Sequence, residues 1–331
     1  MATESPRRLA FFSHPRTASN LILKILNISE QPDILEHPDL PDYGHCFSPA
    51  IKLKFNGTHV RSTSEWSEKE RTAMNEYYAK GLRTVVEYTA LAQTQGKIAF
   101  FREHSISISD PVAQYCFYSG TSLNDEEPWP AISPGESSTT HSAQNRTLLP
   151  DDFLRQWYPI FVIRHPASAF SSYYRVLKAS DSSAEKILQQ ATMVNTYHWT
   201  RTLYDLYKQT FGICGIILDA DDVVANPHLL INVSKRVGLD SSKLKFTWNA
   251  TSSSEEIAAK TVHDPQHLEF MDTLDRSTGI IKDNLRSSVD LVEMGGAWKK
   301  EFGDEEGKRL EGWVRAAMDD FRYLERNKFE G

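Results

Sequence analysis

Leu9-Ala10-Phe11-Phe12-Ser13-His14-Pro15-Arg16-Thr17-Ala18-Ser19-Asn20-Leu21-Ile22-Leu23-Lys24-Ile25-Leu26 is the stretch whose reading decides the fold. Its first four residues are apolar and predict a short strand, and the last six predict a buried helix. Strand, polar turn of small residues, then helix is the opening unit of a nucleotide-binding α/β fold. A helix that starts after such a turn presents backbone N–H groups and the positive end of its dipole. Ser19 and Asn20 add side-chain donors and Arg16 adds a full charge, so the turn suits a phosphate. The GxxxxGK[ST] pattern of nucleotide triphosphatases is absent. The plain alternative is an ordinary strand-to-helix turn capped by Thr17 or Ser19.

Outward from this unit the pattern repeats. Ile98-Ala99-Phe100-Phe101 predicts a second strand, Ile160-Phe161-Val162-Ile163 a central one, and Ile213 to Leu218 another. Continuous apolar runs of this kind belong to parallel strands covered on both faces. Helical spacing runs through 65–93 and 184–210, and an amphipathic helix is expected from about Glu301 to Asn327. Residues 105–150 are rich in Ser, Thr, Pro, Gly and Asn and read as a lid or flexible insertion. The expectation is one α/β domain over 1–331, a central parallel β-sheet flanked by helices with P-loop nucleotide-binding topology.

The 331 residues carry 37 Lys+Arg against 44 Asp+Glu, a net charge of −7. That acidic balance argues against nucleic acid or an anionic membrane as a partner, so any bound anion must be held by a few local cations. Cys46, Cys116 and Cys214 lie far apart, with no CxxC pair or Cys/His cluster, which speaks against a disulfide framework or a structural zinc site. No run of about 20 apolar residues is present to span a bilayer. The N-terminus lacks a secretory leader, so the sequons at Asn27, Asn56, Asn145, Asn232 and Asn249 are read as unused and the protein as cytoplasmic. A small-molecule partner is expected, and a homodimer is left open.

Arg164 follows the central strand, at the edge where open α/β sheets bind ligands. Ser168, Ser171 and Ser172 follow on the next helix, and Arg164 and Ser172 could converge on one phosphate. Pairing of Arg164 with a nearby carboxylate is the alternative. Taken together, Pro15-Arg16-Thr17-Ala18-Ser19-Asn20 and Arg164-His165-Pro166 with Ser172-Tyr173-Tyr174 resemble two motifs of the 3′-phosphoadenosine-5′-phosphosulfate (PAPS)-dependent sulfotransferases. Asp221-Asp222-Val223 with Asn226-Pro227, and Gly296-Ala297-Trp298-Lys299-Lys300-Glu301-Phe302, are similar to two later stretches of that family. The resemblance implies a sulfotransferase-like fold. It implies that Arg16, Thr17, Ala18, Ser19 and Asn20 hold the 5′-phosphosulfate. Arg164 and Ser172 would hold the 3′-phosphate, with Trp298 and Lys299 also at the cofactor. PAPS would be the donor and adenosine 3′,5′-bisphosphate (PAP) the product, with no metal.

Phe101-Arg102-Glu103-His104 lies between the two phosphate motifs, where the family's strand ends in Lys-Thr-His. The resemblance therefore makes His104 the general base and sets Arg102 near the sulfuryl group. Imidazole suits that role because it titrates near neutrality. Glu103 and His14 are the rival bases, and Arg16 is the electrostatic clamp on the leaving oxygen. Ala18 stands where the family has glycine, and a positive φ there would be strained. Leu21 replaces a tryptophan and Ala220 a tyrosine. Leu291-Val292-Glu293 stands at the spacing of the family's Arg-Lys-Gly, leaving Arg286, Lys299 or Lys300 as substitute cations. Tyr43, Phe47, Tyr115, Phe117, Trp129, Tyr173 and Tyr197 either line an acceptor slot or pack the core. The function implied is sulfuryl transfer to a hydroxyl of a small hydrophobic or aromatic acceptor. Dehydration, elimination or cyclisation on the same fold, and kinase-like phosphotransfer, are the alternatives.

Overall fold

The computed structural model describes residues 7–36, 40, 43–55, 57–129, 140–180, 182–250, 274–282 and 289–331. The four apolar runs become β1 (Arg8–Ser13), β2 (Ala99–His104), β3 (Tyr158–Ile163) and β4 (Ile216–Asp219). They form one sheet in the order β2-β1-β3-β4, with all three pairings parallel. The period of two in a strand sends Ala10, Phe12, Phe101, Phe161 and Ile217 to one face. Leu9, Phe11, Phe100, Ile160, Val162 and Leu218 go to the other. Each face is buried in its own apolar cluster, which is why the runs are unbroken by polar residues.

Twelve α-helices among the described residues surround or extend from this sheet. The first five are α1 (Ser19–Leu26), α2 (Ser48–Lys54), α3 (Glu68–Thr94), α4 (Pro111–Ser119) and α5 (Asp151–Leu154). After β3 come α6 (Pro166–Ala179), α7 (Ala184–Val194) and α8 (His198–Asp205). After β4 come α9 (Ala220–Ala225), α10 (Leu229–Val237), α11 (Leu291–Phe302) and α12 (Asp304–Glu325). α1 and α10 share a cluster with one sheet face, whereas α3, α8 and α12 contribute to the cluster on the other.

Three boundaries differ from the sequence expectation. The helix expected over 184–210 is broken at 195–197, because Tyr197 turns inward and is wholly buried. After Asp205 the chain also loosens into a π turn, Leu206–Thr210. The C-terminal helix is two helices, and Glu301 belongs to the earlier one. Gly303 separates them at φ 97°, a conformation that L side chains rarely adopt. The 105–150 segment is ordered at both ends. α4 starts on an Asp110 cap, and Ile106, Ile108, Leu148 and Leu149 are buried. Residues 130–139 of that segment lie outside the described residues.

β1 is followed in the chain by β2 on one side and by β3 on the other, so the chain reverses its direction of travel across the sheet at β1. Such a reversal opens a crevice at the carboxyl ends of the flanking strands. In register there, Ser13 stands opposite His104 on one side and Val162 on the other.

Candidate active site

The loop leaving β1 places Arg16 at φ 67° and Ala18 at φ 54°, both in the left-handed region. The strain expected at Ala18 is therefore present. Ala18 is the N-cap of α1, and no side chain caps that helix among the described residues. Capping by Thr17 or Ser19 is thus not what the turn does. Thr17 is wholly buried and its hydroxyl donates to the His14 carbonyl at 2.7 Å. Only its backbone is left to serve a ligand. The first N–H groups of a helix lack intrahelical acceptors, and here they open towards the crevice end of the sheet.

Arg16 Nε donates to Ser172 Oγ on α6 at 3.0 Å, so the two motifs meet through their side chains. Burial, and then the neighbouring Arg164 charge, hold the Arg16 guanidinium below its ordinary value. Two arginines that repel one another at the end of a sheet are an arrangement that an anion relieves. Arg164 Nε also donates to Asp221 on α9 at 2.9 Å, so the carboxylate pairing weighed from the sequence exists. The Tyr197 hydroxyl fixes the Arg164 backbone. It accepts from the Arg164 N–H at 3.0 Å and donates to its carbonyl at 2.6 Å. His165 caps α6 by accepting from the Ala167 N–H, and Pro166 takes the first helical position.

At the end of β2, His104 Nδ1 lies 3.0 Å from Ser13 Oγ and 3.3 Å from the Ser13 carbonyl. Burial comes first, then the His45, His14 and Arg102 charges. Together they hold His104 well below the ordinary imidazole range, which favours the neutral ring. Arg102 donates to Asn20 Oδ1 at 2.6 Å, which ties β2 to the start of α1. The rival bases are engaged elsewhere. Both ring nitrogens of His14 lie against carbonyls, those of Pro15 and Val194. Glu103 is 1% exposed and accepts from the Phe47 and His104 N–H groups.

His45 is the residue that sequence reading missed. Its Nδ1 lies 3.4 Å from Glu103 Oε1, and its ring centroid is 5.1 Å from that of His104. The local signal was a glycine, Gly44, between Tyr43 and His45. An added Cβ at Gly44 would fall 1.9 Å from the Arg102 carbonyl oxygen, so only glycine lets this segment lie along β2.

Trp298 is wholly buried in the core, and Lys299 reaches Glu311 on α12 at 3.8 Å. Arg286 lies outside the described residues. Of the seven aromatics, Phe47, Trp129, Tyr173 and Tyr197 are buried packing residues, whereas Phe117 is exposed and stacks on His198. Among the described residues no group of three His, Cys, Asp or Glu could hold a metal ion. No described helix is long and apolar enough to cross a membrane.

Comparison with known proteins gives two full-length likenesses. The chain is 34% identical over 336 residues to sulfotransferase ppzF of Metarhizium majus (strain ARSEF 297), covering 97% of this chain and 96% of that one. It is 34% identical over 331 residues to sulfotransferase ppzF of Metarhizium rileyi (strain RCEF 4871), covering 96% and 95%. Among solved structures, the sulfotransferase domain of the Synechococcus PCC 7002 olefin synthase is 15% identical over 88% of this chain and 91% of that one, with a TM-score of 0.40. No protein-family profile matches the chain.

Proposed function

The chain belongs to the sulfotransferase family, and we propose that it moves a sulfuryl group from PAPS to a hydroxyl of a small hydrophobic or aromatic acceptor. The observation that carries this reading is the junction of Arg16, Ser172 and Arg164 across the crevice between β1 and β3. A bisphosphate nucleotide needs two anion sites fed from two strand ends, and the approach of cations from both strand ends supports that reading.

The residues present fit the donor. Arg16 and the α1 N-terminus would hold the 5′ end, and Arg164 with Ser172 would hold the 3′-phosphate. The uncapped, left-handed entry of α1 leaves N–H groups for phosphate oxygens. The acceptor oxygen attacks sulfur as the bond from sulfur to the leaving phosphate oxygen breaks, and the acceptor's proton passes to His104. Positioning and charge stabilisation dominate such transfers. Arg16 stabilises the charge that builds on the leaving oxygen, acting as a fixed cation and not as a proton donor. The same reading makes a small molecule the partner, with no nucleic acid or membrane, in a cytoplasmic setting.

Calorimetric titration with PAP, and with ATP beside it, tests the reading. Selective binding of PAP is the expected result, and a preference for ATP overturns it. Product mass then separates net sulfation from loss of water.

A further inference from the structure

Two imidazoles and one carboxylate meet at the end of β2. Glu103 Oε1 accepts the His104 backbone N–H at 2.9 Å and lies 3.4 Å from His45 Nδ1, so one oxygen holds both histidines in place. The other carboxylate oxygen accepts the Phe47 N–H at 3.1 Å and staples the His45 loop to the strand. That loop is built under strain. Tyr43 and His45 have φ of 63° and 59°, and the His45 N–H donates to the Arg102 carbonyl. Non-glycine residues in this region cost on the order of 1 kcal/mol or more and persist where the surroundings impose them.

The rings are 5.1 Å apart, close enough that two imidazolium charges would repel strongly in a partly buried site. A charge on one ring therefore opposes a proton on the other. The carboxylate lies against one ring of the two. Glu103 faces the His45 ring edge, whereas His104 offers its Nδ1 to Ser13. The charged or titratable groups around His104 are His14 on the loop from β1, Arg102 and Glu103 on β2, and His45.

We propose that His45 is a positioning residue for His104: held by Glu103 beside the His104 ring, it opposes a proton on His104 and keeps that ring open to the proton of the acceptor hydroxyl. This rests on the reading of His104 as the base. In the transfer the acceptor O–H gives its proton to His104 Nε2, its oxygen forms the bond to sulfur, and the electron pair of the broken S–O bond stays on the bisphosphate. His104 returns the proton to solvent after product leaves. Glu103, a rival base by sequence, holds the second imidazole in place.

Side-chain NMR titration of the full-length protein labelled in histidine tests this without an acceptor, with His104 assigned from the spectrum of His104→Gln. His45→Gln should move the His104 midpoint up by ~0.5 pH unit or more, and His45→Lys, which sets a fixed cation there, should hold it at or below the wild-type position. An unmoved midpoint in His45→Gln overturns the proposal. So does a midpoint in His45→Lys that rises as far as in His45→Gln. Turnover of His104→Gln reports separately on the base, so either reading can fail while the failure of the other is recognised.

Discussion

Arg16 and Ser172 are joined by a 3.0 Å hydrogen bond that links the loop after β1 to the helix after β3. The two residues lie 156 positions apart in the chain. Only the parallel pairing of β1 with β3 brings their strand ends side by side. The bond therefore sits at the reversal of the sheet, where open α/β sheets take their ligands.

Arg16→Ala should weaken PAP binding by about ten- to a hundredfold in calorimetry, the range for a lost charge-assisted hydrogen bond. Ser172→Ala removes a neutral partner and should cost only about two- to tenfold. Equal, negligible losses in both variants would mean that no anion sits at the junction.

Arg164 is held from behind by Asp221 and along its backbone by Tyr197. Arg164→Lys keeps the charge but loses the planar fork, so it should bind PAP more weakly than wild type. Arg164→Ala should be weaker still. The Arg164–Asp221 pair is partly exposed and contributes about 1 kcal/mol or less to stability, so thermal melting of Arg164→Ala should change little. A large melting shift with normal PAP affinity would make the arginine structural.

His104→Gln should leave PAP binding intact while turnover falls by roughly 10²- to 10⁴-fold, the usual contribution of a general base. Parallel calorimetry and product mass spectrometry on the variant check the split. Full turnover would remove His104 from the chemistry.

The strands and the two turns that follow β1 and β3 were legible because each is a local pattern: a buried run, then a turn, then a cation. The left-handed φ of Ala18 was expected only through the family resemblance, which puts a glycine at that place. What was hidden depends on pairing between distant segments. His45 reaches His104 only because Gly44 lets the loop lie along β2, and no periodicity in the sequence records that approach. The break at Tyr197 was hidden for the same reason, because its hydroxyl answers to Arg164, 33 residues earlier. Trp298 carried a motif resemblance, yet the apolar face of α11 turns it into the core.

His14 gives the fold an acid limit. Burial pushes its pKa down from 6.5 to about 4, although contacts with the Val194 and Pro15 carbonyls pull the other way. Between those values the unfolded chain binds the proton and the folded chain does not, so stability rises with pH across the window. The contribution is fully present above pH 6.5 and is lost as pH falls towards about 4. It amounts to about 3 kcal/mol. Denaturant melts at pH 7 and pH 4.5 should show the loss, and His14→Gln should flatten it. A slope unchanged in that variant would place the effect on other groups.

Ala18→Gly sets two opposing effects against each other at the mouth of the site. The left-handed conformation at φ 54° costs an alanine about 1–2 kcal/mol, which glycine avoids. Glycine in turn gives the unfolded chain more freedom, worth ~0.4–1 kcal/mol against the fold. The strain term is the larger, so the variant should gain about 0.5–1 kcal/mol in denaturant melts. Its affinity for PAP should stay near wild type, because the N–H groups of the α1 entry keep their directions. Ala18→Val reverses the sign, since a β-branched residue is an outlier in this region, and should lose both stability and PAP affinity. If Ala18→Gly melts earlier than wild type, the turn is not strained in solution, and the uncapped entry to α1 loses its support as the phosphate-binding loop.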